Sequence, residues 1–539
     1  MKTRNRTGVL LIGTVCGTLA AQPLPGPIDP GQLGRELRQP PSPRVQPELP
    51  APQPLPPQTA QPQGPAFRVN AVRVEGATVF DAEALRATYA ELIGRSVHID
   101  DLERVADRIT VQYRNAGYLL AKVIVPEQVL TDGSVTLRVF EGYVDSAVYQ
   151  GANIPDVVRN YVQKITAARP LTAAVLERYL LLINDIPGVT AHAALAQSPR
   201  TVGAAELTLV ASVQRLAGDA SIDNRLTRSL GPARVSGSVQ LANTFYSQEV
   251  LRARVIEGVT NRVSIGSLGW EQAWGTEGLK TSATFSAVRT RPDLALAQTS
   301  SSSNVDLGVA YPLIRARSRN LYLRTTFSAL NSRAEVEGGG VLFEDRVRVL
   351  RLGANGDLAD AAGGVNLVDL EVSHGLGGDI GLVPSRAGVN THFNKLTLFA
   401  SRLQTLTPRT SVLLAFNGQY SGSTLYSSEQ FGAGGEVFLR GFDPSELIGD
   451  RGWAVKLEVR HVPMADLMAY AFYDRAHVEN ASAEQPVLGG ASAGAFGIGL
   501  RFVRGRISSY VEVAQPLARD VAARGDRHVR LFGGLRYAF

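Results

Sequence analysis

The sequence predicts an all-β transmembrane barrel of about 16 antiparallel strands preceded by two small α/β domains. Three observations carry this expectation. From about Arg215 onward, polar and apolar side chains alternate in segments of about ten residues separated by turns. No run of about 18 apolar residues follows the N-terminus, so strands would have to make any membrane crossing. Finally, the chain ends on Phe539, an aromatic residue on the apolar face of its last strand.

Composition agrees. The 539 residues include 53 glycines, are 44% hydrophobic and only 19% charged, which suits an all-β chain better than a helical one. The formal charge of +6 is modest, and the arginines are scattered rather than gathered on one stripe, which argues against nucleic-acid binding.

Residues 1–21 have the form of an export signal. Lys2, Arg4 and Arg6 precede the apolar stretch Gly8 to Leu19, and Ala20-Ala21 supplies small residues for cleavage before Gln22. Cys16 is the sole cysteine and lies inside this signal, so the mature chain is expected to have no disulfide and no thiol chemistry. Residues 22–66 hold about half of the chain's 29 prolines and read as an extended, semi-rigid linker. Within it, Asp29 precedes Pro30, and Leu33 and Leu37 are four apart, so a short helix is predicted to start there.

Residues 67–142 read as a first α/β unit. Val69, Val72 and Val74 open a strand, Asp81 caps a helical stretch through Leu85 and Leu92, and a second helix follows Asp100-Asp101. That helix carries Leu102, Val105, Ala106, Ile109 and Tyr113 on one face and stops at Gly117. YLLAKVIVPEQVL reads as a strand, and the Asp132-Gly133 turn leads into SVTLRVF. Residues 143–213 read as a second unit of similar design, with helices PDVVRNYVQKI and LTAAVLERYLLLIND and strands near GVTAHAAL and AAELTLVASV.

Residues 214–539 are assigned to the barrel. In GWAVKLEVRHV, Trp453, Val455, Leu457 and Val459 oppose Lys456, Glu458 and Arg460. In the last strand Phe539, Tyr537, Leu535 and Leu531 share one face, while Arg536, Phe532, Arg530 and His528 share the other. A sandwich alternates too, but the length of the region and its arginine-rich polar faces fit a wide, hydrated lumen better.

The segment FGAGGEVFLRGFDPSELIGDRG, from Phe431 to Gly452, is the outlying feature. It is glycine-rich yet lacks the Gly-Lys-Ser/Thr ending of a phosphate-binding loop.

Taken in order, signal, proline linker, two α/β units, barrel and LRGF resemble the outer-membrane transporters of two-partner secretion, the haemolysin and filamentous-haemagglutinin secretor type of the POTRA-barrel superfamily. The likeness spans Phe67 to Phe539. YRNAGYLLAKVIVPEQVLTDGSVTLRVFEG resembles part of a first POTRA domain, LERYLLLINDIPGV part of a second, and Asp223-Asn224 the region where the family enters its first barrel strands. Tyr537 and Phe539 resemble the C-terminal signature of outer-membrane barrels.

The resemblance implies that Leu439, Arg440, Gly441 and Phe442 sit at the tip of a sixth extracellular loop folded into the lumen. It implies a wall partner strand containing Phe472 and Asp474, with Ala476 standing where the family usually has glycine. Arginine suits this task because it stays charged and forks onto a carboxylate. Pinning the loop and gating the pore are both open as roles for Arg440. The helix with Leu33 and Leu37 resembles the family's pore plug.

The implied function is export of one large partner protein. POTRA domains in the periplasm would capture it by strand addition, and it would pass unfolded through the barrel without ATP. The implied partners are a secreted protein of the adhesin, cytolysin or contact-dependent toxin class, outer-membrane lipid, periplasmic chaperones and the barrel assembly machinery. A barrel-assembly factor is the alternative, and a passive porin would not need two periplasmic modules. No Gly-x-Ser-x-Gly elbow, His-Glu-x-x-His or ligand-spaced histidine set occurs, so no catalytic residue, metal or cofactor is expected.

Overall fold

The computed structural model describes residues 24–35, 42–45, 65–130, 132–378, 383–482 and 492–539. The expected export signal and Leu37 lie outside the described residues. The first helix, α1 (Pro30–Arg35), follows a 3₁₀ turn at Gly26–Ile28.

In the first α/β unit, strand Ala71–Glu75 runs parallel to Ser134–Phe140, which pairs antiparallel with Lys122–Ile124. Helices α2 (Ala82–Arg86) and α3 (Ile99–Asn115) pack Leu85, Val105, Ile109 and Tyr113 against Val123, Leu137 and Val139. The N-cap of α3 is His98, two residues earlier than the acidic pair suggested. Asp101 completes the cap from N3 by accepting the His98 N–H at 2.8 Å. Leu92 falls in a 3₁₀ turn, because α2 ends at Arg86.

The strand expected along YLLAKVIVPEQVL is confined to Lys122–Ile124. Pro126 has no N–H to give, and the Gln128 side chain takes over, accepting Thr136 N–H at 2.7 Å and donating to Thr136 O at 2.9 Å. Beneath this sheet the Glu141 carboxylate accepts Thr78 N–H (2.6 Å), Val79 N–H (2.8 Å) and the Tyr113 hydroxyl (2.9 Å).

The second unit repeats the topology. Tyr143–Gln150 is parallel to Ala204–Val213, which pairs antiparallel with Val189–Gln197, under α4 (Val157–Ala167) and α5 (Ala173–Asn184). Its helices rest on three turns of the barrel rim. Tyr161 donates to Gln248 (2.8 Å) and Tyr179 to Glu277 (2.9 Å), and Arg315 forks onto Asp185 at 2.8 and 2.9 Å. These contacts define the rim that faces the α/β units.

The barrel strands are β1 (Leu216–Asp223), β2 (Arg234–Ala242), β3 (Glu249–Gly258), β4 (Val263–Trp274) and β5 (Leu279–Thr290). Next come β6 (Gln298–Arg315), β7 (Arg319–Val336), β8 (Val341–Ala359), β9 (Gly364–Gly375) and β10 (Asn394–Thr407). The last are β11 (Thr410–Ser421), β12 (Arg451–Met464), β13 (Leu467–Glu479), β14 (Ser492–Arg504), β15 (Ile507–Leu517) and β16 (Arg530–Ala538). Each pairs antiparallel with the next, and β16 closes on β1 to give a sealed ring of sixteen. The first barrel strand thus begins at Leu216, within the residues 214–539 assigned to the barrel, and Asp223-Asn224 lies at its end.

The alternation behaves as a barrel requires. Leu457, Val459, Leu531 and Leu535 point outward and are exposed, whereas Glu458, Arg530 and Phe532 point inward and are buried. Strands β6 to β8 are the longest, at 18, 18 and 19 residues, against 8 and 9 for β1 and β16. Among the described residues no helix is long and apolar enough to cross a membrane.

Candidate functional site

Residues 422–450, the loop between β11 and β12 and the sixth on the rim away from the α/β units, turn back into the barrel. Leu439 takes a left-handed φ of 55°, and its carbonyl accepts the Phe442 N–H at 3.0 Å, forming a tight turn with Arg440 at its tip. Room for that turn comes from small side chains on the wall. Leu439 and Phe442 lie in one buried cluster with Ala454 of β12, Ala476 of β13, and Ala493 and Ala495 of β14. A Cβ added at Gly441 would stand 3.0 Å from that of Ala495, so glycine lets the loop backbone reach the wall. Ala476 is itself fully buried in this cluster.

Arg440 is 1% exposed and makes a dense set of contacts. Its Nε and Nη2 each donate to Asp474 at 2.9 Å, and its backbone N–H reaches the same carboxylate at 3.0 Å. Its Nη1 donates to Glu458, and its guanidinium lies 3.6 Å from the centre of the Phe472 ring. Glu458 also accepts from Arg460 (2.8 Å) and Arg501 (2.9 Å).

Beside this pair, Glu512 accepts Arg225 at 2.7 Å and the Tyr470 hydroxyl at 2.9 Å and lies 3.7 Å from Arg440. Tyr470, Phe472 and Asp474 share one face of β13 by strict period two, a signal that would have extended the expected wall motif to Tyr470. Sequence reading missed Arg225 and Glu512. Neither stands in a motif, and the register of three strands is what joins them.

The first half of the loop is held separately. Glu429 pairs with Arg351 of β8 (2.7 Å) and Lys395 of β10 (2.5 Å), all three buried. The flanking carbonyls of Ser427 and Gln430 accept the Gln32 amide of α1 at 2.5 and 3.3 Å. Leu33 of α1 is 2% exposed, packed with Leu24 and Ile28 against wall residues that include Ile256, Ile265 and Val288. Two wall hydroxyls complete the seat, Thr290 donating to Ile28 O (3.3 Å) and Ser302 to Pro30 O (3.2 Å).

A short helix and a loop tip thus occupy the lumen side by side. A cavity of about 1120 Å³ remains beside them, with charged residues that include Arg254, Arg324, Glu371 and Glu436 among its lining. At the C-terminus, Tyr537 and Phe539 are exposed on the outer face, and Phe539 exchanges both backbone hydrogen bonds with Gly218 of β1.

A family profile described as haemolysin secretion/activation protein ShlB/FhaC/HecB matches residues 206–497, and a profile for the ShlB-type POTRA domain matches residues 67–142. The chain is similar to the heme/hemopexin transporter protein HuxB of Haemophilus influenzae (strain 86-028NP), 24% identical over 569 aligned positions covering 98% of each chain. It is also similar to the outer membrane transporter CdiB of Dickeya dadantii (strain 3937), 24% identical over 81% of this chain and 80% of that one. Among solved structures, CdiB from Escherichia coli superposes with a TM-score of 0.72 at 20% identity, covering 90% of this chain and 93% of the other.

Proposed function

The chain belongs to the haemolysin secretion/activation protein family, the outer-membrane transporters of two-partner secretion with POTRA domains in the periplasm, and we propose that it exports one large cognate protein through its lumen. The partner is captured in the periplasm by strand addition to the POTRA sheets, passes unfolded, and folds outside without nucleotide hydrolysis. The observation that carries this reading is the content of the lumen. A ring of sixteen strands is obstructed by two segments, α1 and the sixth loop, whose attachments to the wall are side-chain contacts that can break and re-form.

In this reading Leu439, Arg440, Gly441 and Phe442 form a catch that Phe472 and Asp474 receive, and α1 with Leu33 plugs the resting pore. The loop then gates the pore rather than merely pinning the wall. Tyr537 and Phe539 serve recognition by the barrel assembly machinery, and periplasmic chaperones keep the partner unfolded. The partner is of the adhesin, cytolysin or contact-dependent toxin class, a range to which the name of the HuxB relative adds a haem- or hemopexin-handling protein.

The test compares the medium and outer-membrane fraction of cells with and without this protein. Loss of a single large polypeptide from the medium or cell surface, with other barrels at their normal levels, is the expected result. A joint fall of many barrel proteins would replace this reading with barrel assembly.

A further inference from the structure

The weakest joint in the barrel is where it closes. β16 and β1 share five paired positions, Gly534–Ala538 with Asp219–Asp223, extended at the lower end by the Phe539–Gly218 exchange, whereas every other neighbouring pair of barrel strands shares at least eight. Above that stretch β16 runs on toward the outside, but β1 has ended, leaving the Arg530–Gly533 edge without a strand partner. An unpaired strand edge at membrane depth is costly, because lipid offers its backbone groups no hydrogen bonds.

Asn224 fills part of this gap with its side chain. Its Oδ1 accepts the Gly533 N–H at 2.8 Å, its Nδ2 donates to Leu531 O at 3.0 Å, and its own N–H reaches Gly533 O at 3.3 Å. One amide side chain thereby does the work of the missing continuation of β1. What holds Asn224 in place is the next residue. Arg225 turns inward and is 4% exposed, with Nη1 on the carbonyl of Arg440 at 3.3 Å and Nη2 on Glu512.

From the other side of the joint, Arg530 donates to the carbonyl of Gly441 at 3.1 Å and to Asp443 at 2.5 Å. The two arginines lie over the same Phe532 ring, at 4.0 and 4.8 Å. Consecutive carbonyls of the loop tip thus receive one arginine from each edge of the seam.

We propose that the seated tip of the sixth loop staples the β1–β16 seam, with Arg225 and Arg530 as positioning residues, so that withdrawal of the loop frees the outer half of that seam. The staple itself follows from the resting geometry. Its release during export rests on the reading of the loop as a moving gate.

The test uses the full chain in outer-membrane vesicles and follows amide exchange at Gly533 by fragmentation mass spectrometry. Arg225→Ala and Arg530→Ala should each accelerate exchange at Gly533 by about tenfold, and the double variant by no more than the larger single effect, because either loss opens the same bridge. No acceleration, or two effects that multiply, would overturn the staple.

Ile222 and Leu535 face each other across the seam on the outer surface, and the chain's only cysteine is Cys16. An Ile222→Cys/Leu535→Cys disulfide should therefore hold the seam shut, and any variant that assembles poorly is compared in this tethered form. There the tether should abolish the acceleration caused by Arg225→Ala, and persistence of that acceleration counts against the proposal. Arg440→Ala separates the two readings. Faster Gly533 exchange with undiminished export would leave the staple standing and remove the gate.

Discussion

Asp474→Asn should release the sixth loop, and do so far more than Glu458→Gln, although Arg440 touches both carboxylates. Asp474 takes three hydrogen bonds from Arg440, from the backbone N–H, Nε and Nη2. Glu458 takes one from Arg440 but is also satisfied by Arg460 and Arg501. Breaking a buried pair costs roughly 3–5 kcal/mol, and because asparagine keeps one amide oxygen as an acceptor and Glu458 still faces Arg440, about 2–3 kcal/mol is expected for Asp474→Asn. That is a factor of roughly 30–150 in the balance between seated and released loop. For Glu458→Gln, Arg440 keeps its fork on Asp474 with Glu512 at 3.7 Å, and Arg460 and Arg501 are open enough to solvent to be hydrated, so the expected effect is about 1 kcal/mol or less. Amide exchange across residues 436–444, measured in outer-membrane vesicles, reads this balance directly. If Glu458→Gln loosens the segment as much as Asp474→Asn, the fork onto Asp474 is not what seats the loop.

Three further outcomes are expected. Gln32→Leu removes the amide that grips Ser427 O and Gln430 O, so it should raise the frequency of open-channel events in planar bilayers, and an unchanged frequency would contradict the plug. Ala495→Leu overfills the pocket facing Gly441 at a cost of roughly 1–3 kcal/mol and should speed exchange in residues 436–444 without lowering barrel abundance. In the first POTRA domain, burial alone would raise the Glu141 carboxyl, but the hydrogen bonds from Thr78, Val79 and Tyr113 outweigh it and hold it below the usual carboxylate range. Its stabilisation is therefore complete above the unfolded value of about 4.3 and is lost as pH falls through the lower folded value. Tyr113→Phe should leave less of that stabilisation to lose and complete the loss at higher pH, read by urea-dependent reaction of an Ala106→Cys reporter with a dipyridyl disulfide.

Much of the architecture was legible because period two and period 3.6 are local properties. The outward Leu531 and Leu535 and the inward Arg530 and Phe532 follow from counting along one strand, and the buried face of α3 from counting along one helix. Where Gln128 substituted its side chain for a strand, the local reading failed, since only the fold brings Thr136 opposite it. The candidate site divides in the same way. Arg440 and Asp474 carried the family's motif, whereas Arg225 and Glu512 meet through barrel closure, 287 positions apart in the chain.

The three longest strands shape the mouth of the pore. A tilted strand needs about 9–11 residues to cross the hydrocarbon, so β6 to β8 carry roughly eight to spare, which extends them by about 20 Å along the barrel axis at some 3.3 Å per residue and a 40° tilt. The spare ends lie outside the cell. There the outward positions Ser301, Ser303, Asn331, Arg333, Glu335, Glu344 and Arg346 are polar, while the membrane-depth positions Val305, Leu307, Val309, Leu350 and Leu352 are apolar. The rim is therefore bevelled, high at β6 to β8 and low across the ring at the short seam strands. On the export reading proposed above, an emerging chain would have this high polar wall on one side and the short seam strands on the other.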